Sequence, residues 1–157
     1  MANVAVIAPT VHYGGFWRRF LALIIDSIIL SAVFWALTLF LPPLVIIHSF
    51  SSSADEGLNF IANLTTLGSI VSFGGSWLYF ALLESSARGA TVGKMALSMR
   101  VTDLNGQRIS FMRATGRYFA KFLSGLILSI GYIMVAFTAR KQGLHDMIAG
   151  TLVMRGG

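Results

Sequence analysis

Gly15-Phe16-Trp17-Arg18-Arg19-Phe20-Leu21-Ala22-Leu23-Ile24-Ile25-Asp26-Ser27-Ile28-Ile29-Leu30 is the stretch whose reading decides the fold. It reads as the start of a membrane-spanning helix with a carboxylate about two turns in. Arg19 and Asp26 are seven residues apart, which places them on one helix face. Asp26 then lies roughly 10 Å farther along the axis. A bare carboxylate at that depth costs on the order of 3 kcal/mol or more, so Asp26 is expected to face protein and find a partner there. The apolar segment from Phe16 to Leu41 is long enough to cross about 30 Å of hydrocarbon. Phe16 and Trp17 sit where an interfacial anchor belongs, and Pro42-Pro43 stops the helix. Ser53-Ala54 is a conceivable cleavage site, but the apolar run is longer than a signal peptide's and carries an acid, which argues against cleavage.

Composition agrees. Of 157 residues, 55% are apolar and only 11% charged; a soluble domain has about 25% charged. Mean hydropathy is +0.75. The class is an all-α integral membrane protein, one domain over residues 15–157 after a weakly polar, mobile tail at 1–14. Cysteine is absent, so disulfide and thiolate chemistry are excluded. The net charge of +6 does not point to nucleic acid, because the basic residues flank the apolar segments. There, membrane orientation and anionic lipid account for them.

Three hydrophobic segments are expected, at 16–41, 59–83 and 118–137. The second carries Gly68, Ser72 and Ser76 at spacing four, with Gly74 and Gly75 beside them. Small residues at that spacing let helices approach closely, either onto segment one or across a homodimer seam. Asn63, Thr65 and Thr66 need partners if they lie in hydrocarbon. The loop at 42–58 has no Lys or Arg; its His48 reads as an ordinary loop residue. The loop at 84–117 has Arg88, Lys94, Arg100, Arg108, Arg113 and Arg117. That asymmetry puts the N-terminus and 84–117 in the cytoplasm of a cell-membrane protein, with 42–58 outside. Leu97 to Asp103 alternates in polarity, and Asn105-Gly106 leads into Gln107 to Ser110, which predicts a cytoplasmic β-hairpin over 97–110. Thr151 to Arg155 has strand character and is placed at that hairpin's edge. The third segment carries Lys121, Ser124, Gly125, Ser129 and Gly131, and a basic tail with Arg140, Lys141 and Arg155 follows it. A re-entrant or broken segment turning near 129–131 returns that tail to the cytoplasm, provided protein covers its free backbone groups.

Three blocks together resemble the RDD family of membrane proteins, named for one arginine and two aspartates. They are Gly15 to Arg19 with Ile25-Asp26; Thr91-Val92-Gly93-Lys94 with Met99-Arg100-Val101 and Asn105-Gly106; and Leu144-His145-Asp146 with Ala149 to Val153. Met99 stands where the family usually has leucine, a swap that conserves volume. The resemblance implies that Arg19, Asp26 and Asp146 are the name-giving residues. It implies no defined biochemical role beyond a suspected one in transport, including ion exchange.

The chemistry then has two readings. In one, Asp26 takes an ion or proton while Arg19 and Asp146 tune and gate it, in a small transporter or exchanger of cations or protons. Few spans per chain make a homo-oligomer necessary for that. In the other, Arg19 bridges Asp26 and Asp146 as a structural clamp. The protein is then a non-transporting accessory or scaffold whose basic loop engages a partner or anionic lipid. Glu84, Lys94 and Lys141 are supporting charges in either case. His145 beside Asp146 reads as a hydrogen-bonded structural residue. Gly93-Lys94 lacks a phosphate loop's upstream glycine, His12, His48 and His145 have no zinc spacing, and no nucleophile–base pair appears. No cofactor, metal or enzymatic activity is expected.

Overall fold

The structure, a computed structural model, describes residues 12–39, 53–126 and 130–156. In chain order it comprises α1 (Phe16–Thr38), α2 (Ala54–Ser85), α3 (Val92–Ala96), β1 (Met99–Asp103), α4 (Phe111–Leu126), α5 (Ile130–Phe137), α6 (Leu144–Ile148) and β2 (Thr151–Arg155). Two helices, α1 and α2, are long and apolar enough to cross a membrane, and few of their residues are buried by protein. Leu41, Pro42-Pro43 and His48 lie outside the described residues.

The second segment starts five residues earlier than expected, at Ala54. Ser53-Ala54-Asp55-Glu56 explains this. The Ser53 N–H donates to Glu56 Oε2 at 3.3 Å, and two acids in the first turn complement the helix dipole. Thr65 and Thr66 find partners within their own helix, both hydroxyls donating to the Ala62 carbonyl. Of the small residues, Gly75 packs on α1, where an added Cβ would sit 3.3 Å from the Phe34 ring; Gly68 faces open space.

The expected hairpin over 97–110 does not form. The turn itself does: Gly106 has φ +79°, and Asp103 Oδ1 accepts from the N–H groups of Asn105 and Gln107. Beyond it, Arg108 is drawn to the Ser85 carbonyl and Ile109 into the core, which takes 107–110 out of the ladder. β1 pairs instead with β2, antiparallel, with Val101 opposite Val153 and Asp103 opposite Thr151. Val101 and Val153 are both fully buried, so this pairing hides apolar side chains that 107–110 cannot match. Residues 12–14 also depart from the expected mobile tail. Tyr13 bridges to Met154, Gly14 N–H donates to the Val153 carbonyl, and Arg155 N–H donates to the His12 carbonyl. The start of α1, β1 and the tail are thereby tied into one small layer.

Where the third segment is expected, two helices stand, α4 from Phe111 and α5 from Ile130, with 127–129 between them outside the described residues. Of these, α4 has 16 residues and α5 has 8, each short of the roughly 20 needed for a simple crossing. They pack side by side. A Cβ on Gly131 would lie 2.7 Å from Ser124 Cβ, and Tyr132 Oη donates to the Lys121 carbonyl at 3.0 Å. One face of α4 is apolar and partly exposed (Met112, Phe119, Phe122, Leu123), with the Phe119 and Phe122 rings meeting Phe73 of α2; Arg117 and Ser124 are buried on the other.

Candidate functional site

Asp26 is buried, and three neutral groups satisfy it. Thr91 Oγ1 donates to Oδ2 at 2.6 Å, and Oδ1 accepts from Tyr79 Oη at 2.8 Å and from the Gly93 N–H at 2.7 Å. Tyr79 Oη in turn accepts from the Val92 N–H at 3.3 Å. Thr91 is the N-cap of α3 but makes no cap bond to its own helix. Asp26 supplies the carboxylate to that helix start from α1 instead. Gly93 makes this approach possible, because a Cβ there would stand 2.2 Å from the Ala22 carbonyl oxygen.

Arg19 does not bridge to Asp26, contrary to the expectation from their shared face. Its guanidinium pairs with Asp146 Oδ2 and donates to the carbonyls of Lys141 and Gly14. The pairing of Gly14 with β2 brings Arg19 to α6, where Asp146 is held. Asp146 also accepts from Arg117 Nη2 at 2.7 Å and Nε at 2.8 Å, and from the Gly143 N–H at 3.1 Å. Burial alone would raise its pKa, but Arg117 and Arg19 more than reverse this and hold it well below the carboxylate range.

Arg117 is the hub. It is 1% exposed and joins Asp146 to Glu84, whose Oε2 it meets at 2.8 Å. Lys94 Nζ binds the other Glu84 oxygen at 2.5 Å, and Lys121 Nζ lies 3.7 Å from it. The chain Arg19–Asp146–Arg117–Glu84–Lys94 therefore staples α1, α6, α4, α2 and α3 together. Burial lowers the Lys94 pKa to about 7, with Glu84 pulling the other way. Lys141 contributes its backbone carbonyl rather than its charge, since its ammonium caps α5 at the Ala136 carbonyl.

His145 is buried against the Tyr132 ring, with Nδ1 3.4 Å from Ser124 Oγ and Nε2 3.5 Å from Asp146 Oδ1. Burial lowers its pKa to about 3; Asp146 raises it, while Arg117, Lys121 and Arg19 lower it further. The imidazole is therefore neutral near pH 7, and an unfolded chain takes up its proton first as the pH falls below about 6.5. Stability should drop by about 2 kcal/mol between pH 7.5 and 5 from this residue. Asp146 adds a loss in the same direction at lower pH, below its ordinary carboxylate pKa. Unfolding in detergent at both pH values should show the loss, and His145→Gln should flatten it; an unchanged slope in that variant would assign the acid sensitivity elsewhere.

Sequence reasoning singled out Arg19, Asp26, Asp146, Glu84, Lys94 and His145 and the Arg19–Asp146 contact, but not the partners of Asp26 or the network around Glu84. It missed Arg117 and Tyr79 as site residues, and placed Thr91 and Gly93 only within a motif. Arg113, Arg117 and Lys121 recur at spacing four in an amphipathic stretch, and that is the signal that marks Arg117 as belonging to a helix face. Arg19, Lys94, Arg117 and Lys121 serve the interior, whereas Arg88, Arg100, Arg108 and Arg113 are exposed.

Between α1, α2, α4 and α5 lies a cavity of about 320 Å³, lined by Phe16, Phe20, Leu23 and Phe80 and by Arg19, Lys94, Arg117, Lys121 and Asp26 among others. Its charged lining holds four cations and one acid.

A profile of the RDD family matches residues 13–150. The uncharacterized protein YxaI of Bacillus subtilis is 37% identical over 147 residues, spanning 89% of this chain and 95% of that protein. The uncharacterized membrane protein YteJ of the same organism is 33% identical, over 90% of this chain and 80% of its own length. A proline-rich antigen homolog of Mycobacterium tuberculosis is 27% identical, over 92% of this chain and 64% of its own. No solved structure matches.

Proposed function

The chain belongs to the RDD family of membrane proteins, and from there we propose that it is a non-transporting accessory or scaffold protein with a charge-stapled head. The observation that carries this is the state of Asp26, whose oxygens accept three hydrogen bonds that lock α1 to α3. A carboxylate so used is a clamp, and three of the four cations lining the neighbouring cavity are themselves held in ion pairs with Asp146 and Glu84. The exposed Arg88, Arg100, Arg108 and Arg113 are then the surface offered to an acidic partner or an anionic membrane. Residues 12–14, β1 and β2 share one layer, which supports placing the N-terminus, loop 84–117 and tail together on the cytoplasmic side, with α4 and α5 as a broken, re-entrant pair.

Proteoliposome flux tests the proposal. Sealed vesicles carrying the folded protein should show no movement of Na⁺, K⁺ or protons above empty vesicles. Flux that is present and lost in a folded Asp26→Asn variant would overturn the clamp reading. That variant should instead be destabilised by about 1–3 kcal/mol, because an amide cannot accept at both positions.

A second reading, cation or proton exchange, is favoured by one observation. Lys94 lines the cavity with a pKa near neutrality, where a proton can be exchanged. Exchange by a chain with two long spans needs several copies, and the open face of α2 around Gly68 offers a seam. A monomer by native mass measurement in nanodiscs would remove that support.

A further inference from the structure

The cavity holds one cation that the head engages only through a long ion pair and a ring face. Lys121 Nζ makes no hydrogen bond among the described residues; it lies 4.2 Å above the centre of the Phe80 ring and 3.7 Å from Glu84 Oε1. Glu84 is already bound by Lys94 and Arg117, so Lys121 is the surplus charge of the cluster. A partly exposed ammonium with donors to spare suits an anionic partner.

The walls say what else that partner carries. Phe20 and Leu23 line the cavity and are 45% and 47% exposed, so it opens sideways onto the outer face of α1. A second cavity of about 570 Å³ shares Leu23, Phe80, Lys121 and Tyr132 with the first and runs on to Phe122 and Gly125. Phe122, half exposed on α4, is part of that lining. An occupant therefore enters from the bilayer with an apolar chain and carries a single negative head.

We propose that this cavity binds one anionic lipid of the surrounding leaflet, its oxyanion against Lys121 Nζ and its acyl chain along Phe20, Leu23 and Phe122. The site is separate from the exposed arginines of the head and does not depend on whether the protein moves ions. Charge complementarity selects the lipid: Asp26, Glu84 and Asp146 leave one of the four cavity cations over, and a net-anionic head answers that surplus where a zwitterionic head cancels its own charge.

Native mass spectrometry of the full chain, supplied with phosphatidylglycerol or phosphatidylcholine, tests this directly. One phosphatidylglycerol per chain should be retained, at least tenfold more tightly than phosphatidylcholine. Lys121→Met and Leu23→Trp should each weaken retention about tenfold. The first removes the charge while Glu84 keeps two partners; the second fills the groove while leaving every charge in place. Arg155→Gln, an exposed cation on β2, should change nothing. Equal retention of both lipids, or indifference to both cavity variants, would overturn the proposal. So would an equal loss in Arg155→Gln, or displacement of the lipid by inorganic phosphate at matched concentration.

Discussion

Arg117→Met is expected to destabilise the protein by about 3–5 kcal/mol, the largest effect of any single charge removal. The reason is arithmetic of charge rather than loss of contacts. Met fills much of the volume, but Glu84 loses the 2.8 Å guanidinium partner and Asp146 loses two donors at 2.7 and 2.8 Å. Both acids stay buried, and Asp146 is left with Arg19, the Gly143 N–H and a neutral His145 at 3.5 Å. The head, α3 to β2, should loosen before α1 and α2 do, because Arg117 is what connects α4 to both acids. Hydrogen exchange in detergent should show protection lost first in β1, β2 and α6. Loss spread evenly over α1 and α2 would contradict the hub assignment. Arg117→Lys should recover little, since one ammonium cannot reach two carboxylates with a planar fork.

Gly93→Ala is the second large effect, and it acts through backbone. The added methyl meets the Ala22 carbonyl oxygen at 2.2 Å and Asp26 Cγ at 3.0 Å. Neither neighbour is the tip of a flexible side chain, so α3 must move off α1, and the Gly93 N–H bond to Asp26 goes with it. A cost of about 3 kcal/mol or more is expected, at or above the upper end of ordinary overpacking. Gly74→Ala, with nothing within 4 Å of its added Cβ, is the matched control and should be near neutral. Melting of both variants in one detergent checks the pair; equal melting temperatures would mean that α1 and α3 do not approach this closely.

The membrane class, both long helices and the burial of Asp26 were legible because a long apolar run suits a bilayer, and an acid in its midst must turn toward protein. Arg19 meeting Asp146 followed from the three motif blocks and the charge asymmetry of the loops. The partners of Asp26 were not legible. A shared helix face with Arg19 was a good local argument, but Arg19 is pulled outward by Gly14 and α6, while Thr91 and Gly93 arrive from a helix of only five residues. The hairpin failed for a related reason. Asn105-Gly106 signals a local turn, and the turn is there, but the strand that buries Val101 is Thr151–Arg155, which was expected only at the hairpin's edge. Arg117 read as one of six loop cations until the helix from Phe111 turned it inward.

The most direct test of the stapled head is a double-mutant cycle on Arg117→Met and Asp146→Asn, read by equilibrium unfolding in detergent. If the two form one buried network, each single change is costly and the double change costs less than their sum by about 2 kcal/mol. Additivity within about 0.5 kcal/mol would mean that Arg117 and Asp146 act independently, and the account of the head as a charge-stapled unit would fail.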